Sequence, residues 1–226
     1  MITPMNILKK IPLFASLSEE DLKNLTGLLR RKQLGKGEFL FQQGDEGTAL
    51  YIIVQGRIKI SLSRRMDNVT LAILVPGECL GEMALLDELP RSADAIALED
   101  SQLYVLNRKD FLSFLSNNPH TVYAILNSLS RRLRKTDDQL AEMCFLNISA
   151  RLAKRLVELA ETQEPDQDNP NVYDLKISQQ ELGNILGVSR ESINKELKIL
   201  RNKGVVSTSR NSIHILDFES LKKRMP

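Results

Sequence analysis

The stretch ISQQELGNILGVSRESINKELKILRNKGVV, Ile177 to Val206, contains two short helices with explicit start and stop signals. Ser178 with Glu181 three residues later is a capping box, which starts a helix at Gln179. Leu182, Ile185 and Leu186 give that helix its apolar face, and Gly187 suits a left-handed C-cap. Ser189 caps a second helix whose inward side is Ile193, Leu197 and Leu200. Two short helices joined by Gly-Val-Ser form a helix-turn-helix signature.

On the second helix, Arg190, Glu191, Ser192, Asn194 and Lys195 take the outward, N-terminal positions. In a DNA-binding pair these meet base edges in the major groove. Arg bonds guanine O6 and N7 bidentately, Glu accepts from cytosine N4, and Lys reaches guanine. Residues 203–216, KGVVSTSRNSIHIL, read as a two-stranded wing, and VYDLKI (172–177) as a short strand before the motif. Between Val188 and Arg210 there are six basic residues and two acidic ones. This basic patch is concealed by a whole-chain charge of only +2. Ser178 and Ser189 at the helix starts and Arg210 on the wing complete the expected DNA-facing set. The alternative is a helix pair used only for packing, with a solvated charged face.

Upstream, QEPDQDNPN (163–171) is a polar loop with two prolines, preceded by a helix from Ile148 to Thr162 capped by Asn147. Pro119 opens a longer helix. Its apolar positions, Val122, Leu126, Leu129, Leu133, Leu140 and Met143, recur at alternating steps of four and three, with Thr136 completing the series. This heptad seam needs a partner, either the protein's own N-terminal region or the same helix of a second copy. The seam stops at Phe145, Leu146 and Asn147, where a hinge is expected.

From Gly35 to Leu106 short β-type segments alternate with glycines: EFLFQQ, ALYIIVQ, RIKISLS, TLAILV, ADAIAL and QLYVLN. Ile58, Ile60 and Leu62 are expected on one face of their strand, with Lys59 and Ser61 on the other. Regular short strands with glycine turns indicate a β-barrel or sandwich-like roll. It is flanked by a helix at 18–31, with Ser18 as cap, and another at 108–116.

The chain has 226 residues, 42% hydrophobic and 27% charged, which suits one large or two modest soluble domains. Its start is too broken for a signal peptide, and no apolar run approaches the ~20 residues of a membrane span. A cytoplasmic protein is expected. Cys79 and Cys144 sit in apolar contexts and read as two buried thiols, with a disulfide as the alternative. There is no metal-spaced cluster, no nucleophile motif and no other catalytic constellation, so an enzyme is not expected.

One more stretch needs explaining. GEMALLDELPRSA, Gly81 to Ala93, sets Glu82 nine residues before Arg91 and Ser92, across a largely apolar middle. Taken alone, Glu82 and Arg91 read as a surface ion pair.

A glycine-rich roll, a GE…RSA segment, a long seam helix and a C-terminal winged helix, in that order, resemble the cyclic-AMP receptor protein (CRP/FNR) superfamily of bacterial transcription regulators. The resemblance covers roughly residues 8 to 222. It implies an α+β chain in three parts. Residues 1–117 are a cyclic-nucleotide-binding, double-stranded jelly-roll-like β-roll, 118–146 a dimerisation helix, and 147–226 a winged helix-turn-helix domain. It turns Gly81–Ala93 into a phosphate-binding cassette. Glu82 then accepts the ribose 2′-hydroxyl, Arg91 pairs with the cyclic phosphate, and Ser92 hydrogen-bonds it. A buried phosphodiester charge needs a charge-assisted partner, and Arg supplies a fork of donors. Residues 82–86 are expected to form a short helical turn whose N–H groups face the anion. Gly81, Met83, Ala84 and Ala93 complete that segment of the site, and Ile60 and Leu71 match positions lining the base pocket.

By the same resemblance Arg132 pairs with Glu82, and Thr136 hydrogen-bonds an adenine with help from the next residue of a partner subunit. That residue is Asp137, where the family's best-known member has Ser. An ionised Asp only accepts, which suits adenine's 6-amino group and disfavours guanine's 6-oxo group. Cyclic AMP is therefore the expected ligand. A cyclic dinucleotide such as cyclic di-GMP, or no ligand, is the alternative. The implied partners are double-stranded DNA, a second copy of the chain and RNA polymerase. Arg190, Glu191 and Lys195 match the family's base-reading positions, with Lys replacing a second Arg. A palindromic site with TGTGA-like half-sites about 34 Å apart is expected, with relaxed recognition at the Lys195 base pair. Ligand binding is expected to act by population shift, straightening the seam helix toward the hinge. The iron–sulfur branch of the superfamily is disfavoured because no cysteine precedes Cys79. The haem branch is disfavoured because the two histidines, His120 and His214, lie off the roll.

Overall fold

The protein is described from a computed structural model. The described residues are 4–9, 11, 14, 17–64, 67–163, 169, 171–209 and 211–225. The chain divides into two compact units, one formed by Met1–Met66 and Thr70–Leu133, the other by Asp67–Val69 and Arg134–Pro226.

The first unit opens with α1 (Pro4–Leu8) and α2 (Glu19–Leu28). The Ser18 side chain accepts from the Asp21 N–H to cap α2, and Glu19, Glu20 and Asp21 occupy its first turn. Eight strands follow: β1 (Arg30–Leu34), β2 (Phe39–Phe41), β3 (Ala49–Gln55), β4 (Ile58–Arg64), β5 (Asp67–Leu74), β6 (Cys79–Leu80), β7 (Asp94–Ala97) and β8 (Ser101–Asn107). They make two four-stranded sheets, of order β1-β8-β3-β6 and β2-β7-β4-β5. Between β6 and β7 lies the short α3 (Met83–Leu86), and after β8 come α4 (Arg108–Asn117) and the 27-residue α5 (Pro119–Phe145), which runs on into the second unit.

Period-two alternation distributes the strand side chains between two cores. Ile53, Ile58, Leu74, Leu80, Ala95 and Leu103 fill the space between the sheets. Leu50, Ile52, Tyr104 and Leu106 turn the other way, against Leu22, Leu25, Phe111 and Ile125 of the helices. Strand β3 is buried on both faces up to its last residue, the exposed Gln55, which is why ALYIIV is apolar throughout.

Two expectations need correction. The helix starting at Ser18 does not reach residue 31. It ends at Leu28, and Arg30–Leu34 pairs with β8 instead, Arg30 opposite Val105. Cys144 is exposed near the end of α5, so the chain does not carry two buried thiols.

The second unit holds the end of α5, then α6 (Ile148–Glu161), β9 (Tyr173–Leu175), α7 (Gln179–Leu186), α8 (Arg190–Asn202), β10 (Val206–Thr208), β11 (Ile213–Ile215) and α9 (Phe218–Lys222). Asn147 caps α6 as expected, its side chain accepting from the Ala150 N–H. The wing is part of a three-stranded antiparallel sheet, β10-β11-β9, because Leu175 of the upstream strand registers with Ile213. The core joins Leu152, Leu156 and Val157 of α6 to Leu182, Ile193, Leu197, Leu200 and Ile213. Leu197 is fully buried there. Leu197→Ala is expected to lower the stability of this unit by about 2–5 kcal/mol in thermal or denaturant unfolding.

Candidate functional site

The GEMALLDELPRSA segment folds around one guanidinium. Arg91 is only 4% exposed. Its Nη1 donates to the Gly81 carbonyl at 2.7 Å and its Nη2 to the Ala49 carbonyl at 2.8 Å. The rings of Phe41 and Tyr51 flank it, with centroids 4.4 Å and 5.6 Å from Cζ. Burial lowers its pKa, against the raising influence of Tyr51, Glu82 and Asp45. An arginine keeps its proton even so. Gly81 has φ +88°, and a Cβ there would lie 2.5 Å from Arg91 Nη1. The glycine is thus required twice, by the backbone conformation and by the cation beside it.

Glu82 is buried at the start of α3. Its Oε1 accepts from Arg132 Nη1 of α5 at 2.5 Å, and Arg132 Nη2 also donates to the Cys79 carbonyl. The Arg132–Glu82 pair expected from the resemblance is therefore present. Four buried polar atoms among the described residues lack a hydrogen-bond partner, and two of them, Glu82 Oε2 and Arg91 Nε, belong to this cassette. Buried polar groups without partners are costly, and here two of them, of opposite hydrogen-bonding sense, belong to one segment. One is an acceptor seeking a donor and the other a donor seeking an acceptor.

The remaining expected ligand residues are distributed unevenly. Ala84 and Ala93 are buried, whereas Met83 and Ser92 are exposed. Ile60 turns toward the space between the sheets, but Leu71 is 41% exposed. Its neighbours Ala72 and Leu74 are the β5 residues that turn inward, so Leu71 and Ile60 do not share a face. Thr136 and Asp137 are exposed on α5. Along the same helix Val122, Leu126, Leu133, Leu140 and Met143 are exposed too, while Leu129 is half-buried against the first unit's core. Phe145 and Asn147 at the expected hinge are exposed and Leu146 is half-buried.

In the second unit the caps lie where the sequence puts them. Ser178 and Glu181 form a complete capping box, and Gly187 ends α7 at φ 64°. The Ser189 side chain accepts from the Ser192 N–H to cap α8. Arg190, Glu191, Asn194 and Lys195 are exposed on α8, whereas Ser192 is half-buried and bonded back to Ser189. Hydrogen bonds from its own N–H and from Ser189 lower the Glu191 pKa. Arg210 lies outside the described residues. Sequence reasoning missed Arg151 of α6, which is buried and donates to the Leu186 carbonyl at the end of α7. A lone arginine in an amphipathic helix gives no sequence signal for that role.

Two family models match the chain: a cyclic nucleotide-binding domain over residues 31–118 and a Crp-like helix-turn-helix domain over 150–224. The cyclic AMP receptor protein of Thermus thermophilus is 32% identical over 217 residues, covering 96% of this chain and 97% of that protein. The chain belongs to the CRP/FNR family. A CRP/FNR-family regulator from Eubacterium rectale matches the fold at a TM-score of 0.81 and 19% identity, over 96% of this chain and 98% of that one. The cyclic di-GMP-responsive regulator CLP of Xanthomonas campestris matches at 0.77 and 22% identity, over 88% and 99%. This CRP/FNR protein is a cyclic nucleotide-binding, DNA-binding transcription regulator and not an enzyme.

The residues fit such a ligand. A cyclic nucleotide would present an anionic phosphodiester to the unpartnered Nε of Arg91 and a ribose hydroxyl to the free oxygen of Glu82. Among the described residues, no group of three or more His, Cys, Asp or Glu is placed to hold a metal, and no helix is long and apolar enough to cross a membrane.

Proposed function

We propose that this regulator is a cytoplasmic homodimer that binds cyclic AMP and, in response, a palindromic TGTGA-like operator. The observation that carries the ligand reading is the unpartnered pair, Arg91 Nε and Glu82 Oε2, buried in one cassette. Arg91 holds the phosphate, with Ser92 beside it, and Glu82, fixed by Arg132, holds the ribose. Base choice is assigned to Thr136 and Asp137, whose acceptors suit an exocyclic amine. The relative from Thermus thermophilus, named a cyclic AMP receptor protein, supports the same choice. The exposed seam of α5 supports the second copy of the chain. Arg190, Glu191 and Lys195 read G·C pairs, and RNA polymerase is the partner through which a DNA-bound regulator acts. The three-part division at residues 117 and 146 belongs to this reading.

Ligand acts by shifting a population between two arrangements, as far as its affinity for the two differs. Calorimetric titration with cyclic AMP, cyclic GMP and cyclic di-GMP tests the ligand. Tightest binding of cyclic AMP is expected. Preference for cyclic di-GMP would transfer the cassette to a dinucleotide, and no binding by any of the three would remove the ligand reading.

A further inference from the structure

On the recognition helix, Asn194 is a polar side chain that neither folding nor guanine reading accounts for. Asn194 is exposed in the first half of α8, and its amide has no hydrogen-bond partner among the described residues. Some other asparagines have local work. Asn107 and Asn147 cap helices, and Asn118 donates to the Phe114 carbonyl. Asn ranks low in helix propensity, because its short amide competes for backbone hydrogen bonds. A surface position inside a 13-residue helix is filled better, for stability alone, by Ala, Lys or Glu.

Its position on the helix is specific. At 3.6 residues per turn, Asn194 lies about 40° round from Arg190, about 60° short of Glu191 and about 100° short of Lys195. Those three residues are exposed, while Ile193 and Leu197 are buried. Asn194 therefore sits inside the exposed sector and not at its margin. Along the axis it is roughly 6 Å beyond Arg190 and about 1.5 Å before Lys195. That places it between the two cations.

Chemistry then separates it from its neighbours. Arg and Lys only donate, and an ionised Glu only accepts. The adenine edge in the major groove presents one acceptor, N7, beside one donor, the 6-amino group. Among these four side chains the Asn amide alone offers a donor and an acceptor together. We propose that Asn194 reads adenine directly, in the T·A pair between the two G·C pairs of the TGTGA half-site. This inference rests on the recognition-helix reading above and adds a base pair to it.

The test is to measure binding of the full chain, with and without cyclic AMP, to DNA carrying randomised half-sites. The proteins are the unchanged chain, Asn194→Ala and Arg190→Ala. Ala is the better helix former, so Asn194→Ala does not put folding at risk. Asn194→Ala is expected to reduce the preference for T·A at the central position about 5- to 150-fold. The two G·C preferences and the salt dependence stay as they are. An unchanged central position, or an equal loss at every position, overturns the proposal. If Arg190→Ala strips a G·C preference while Asn194→Ala changes nothing, this inference fails alone. If Arg190→Ala also leaves sequence preference intact, the recognition-helix reading falls with it.

Discussion

Arg91→Ala is expected to weaken cyclic-AMP binding about 30- to 5000-fold, the cost of truncating one partner of a buried, hydrogen-bonded charge pair. The side chain is held in place before any ligand arrives, because the Gly81 and Ala49 carbonyls fix its two terminal nitrogens. A pre-oriented guanidinium spends little ordering entropy on binding. Arg91→Lys is expected to be intermediate. It keeps the charge but loses the fork, so one of the two carbonyls goes unsatisfied. Calorimetric titration measures both variants, and thermal unfolding checks that each is folded. Binding by Arg91→Ala at unchanged affinity would remove the cassette from the ligand site. If both variants bind weakly but unfold well below the unchanged protein, the loss belongs to the fold and Arg91 is structural.

The second large effect concerns α5. A double substitution, Leu133→Asp with Leu140→Asp, is expected to raise the dimer dissociation constant at least about 100-fold, since each copy loses apolar burial worth roughly 1.5–3 kcal/mol per leucine. Both leucines are mostly exposed in the single chain, at 62% and 60%. Their replacement therefore leaves the fold of the isolated chain intact, and unfolding of the chain at low concentration is expected to be unchanged. Sedimentation velocity reads the assembly. Operator binding should fall with it, because a palindrome needs two reading helices. A double variant that remains dimeric would show that the second copy is held elsewhere.

The sequence was legible where a local chemical signal was present. The capping box at Ser178, the left-handed Gly187 and the Asn147 cap are decided within four residues, and each appears in the structure where the sequence puts it. Strand β3 was legible through its apolar run, and α5 through its seam. Strand β1 was not. Its RRKQL sequence buries only Leu34, so no alternation marks it, and pairing with β8 alone makes it a strand. Strand β6 is two residues long and carries no period at all.

The cassette shows the same boundary. Family resemblance, carried by the GE…RSA segment, identified Glu82 and Arg91 as ligand residues and supplied Arg132 from fifty residues downstream. No sequence feature reveals that two buried atoms, Arg91 Nε and Glu82 Oε2, are left without partners. Nor does one reveal that Leu71 turns away from the side Ile60 faces, or that Arg151 anchors the end of α7. The sequence by itself determined the capped helix starts, the bounds of the helix-turn-helix pair and the exposed positions of Arg190, Glu191, Asn194 and Lys195, because caps and periods are local properties of the chain. Tertiary structure alone decided which polar atoms are satisfied and which face each strand residue takes. Those outcomes depend on contacts between segments far apart in sequence, whose burial no local pattern encodes.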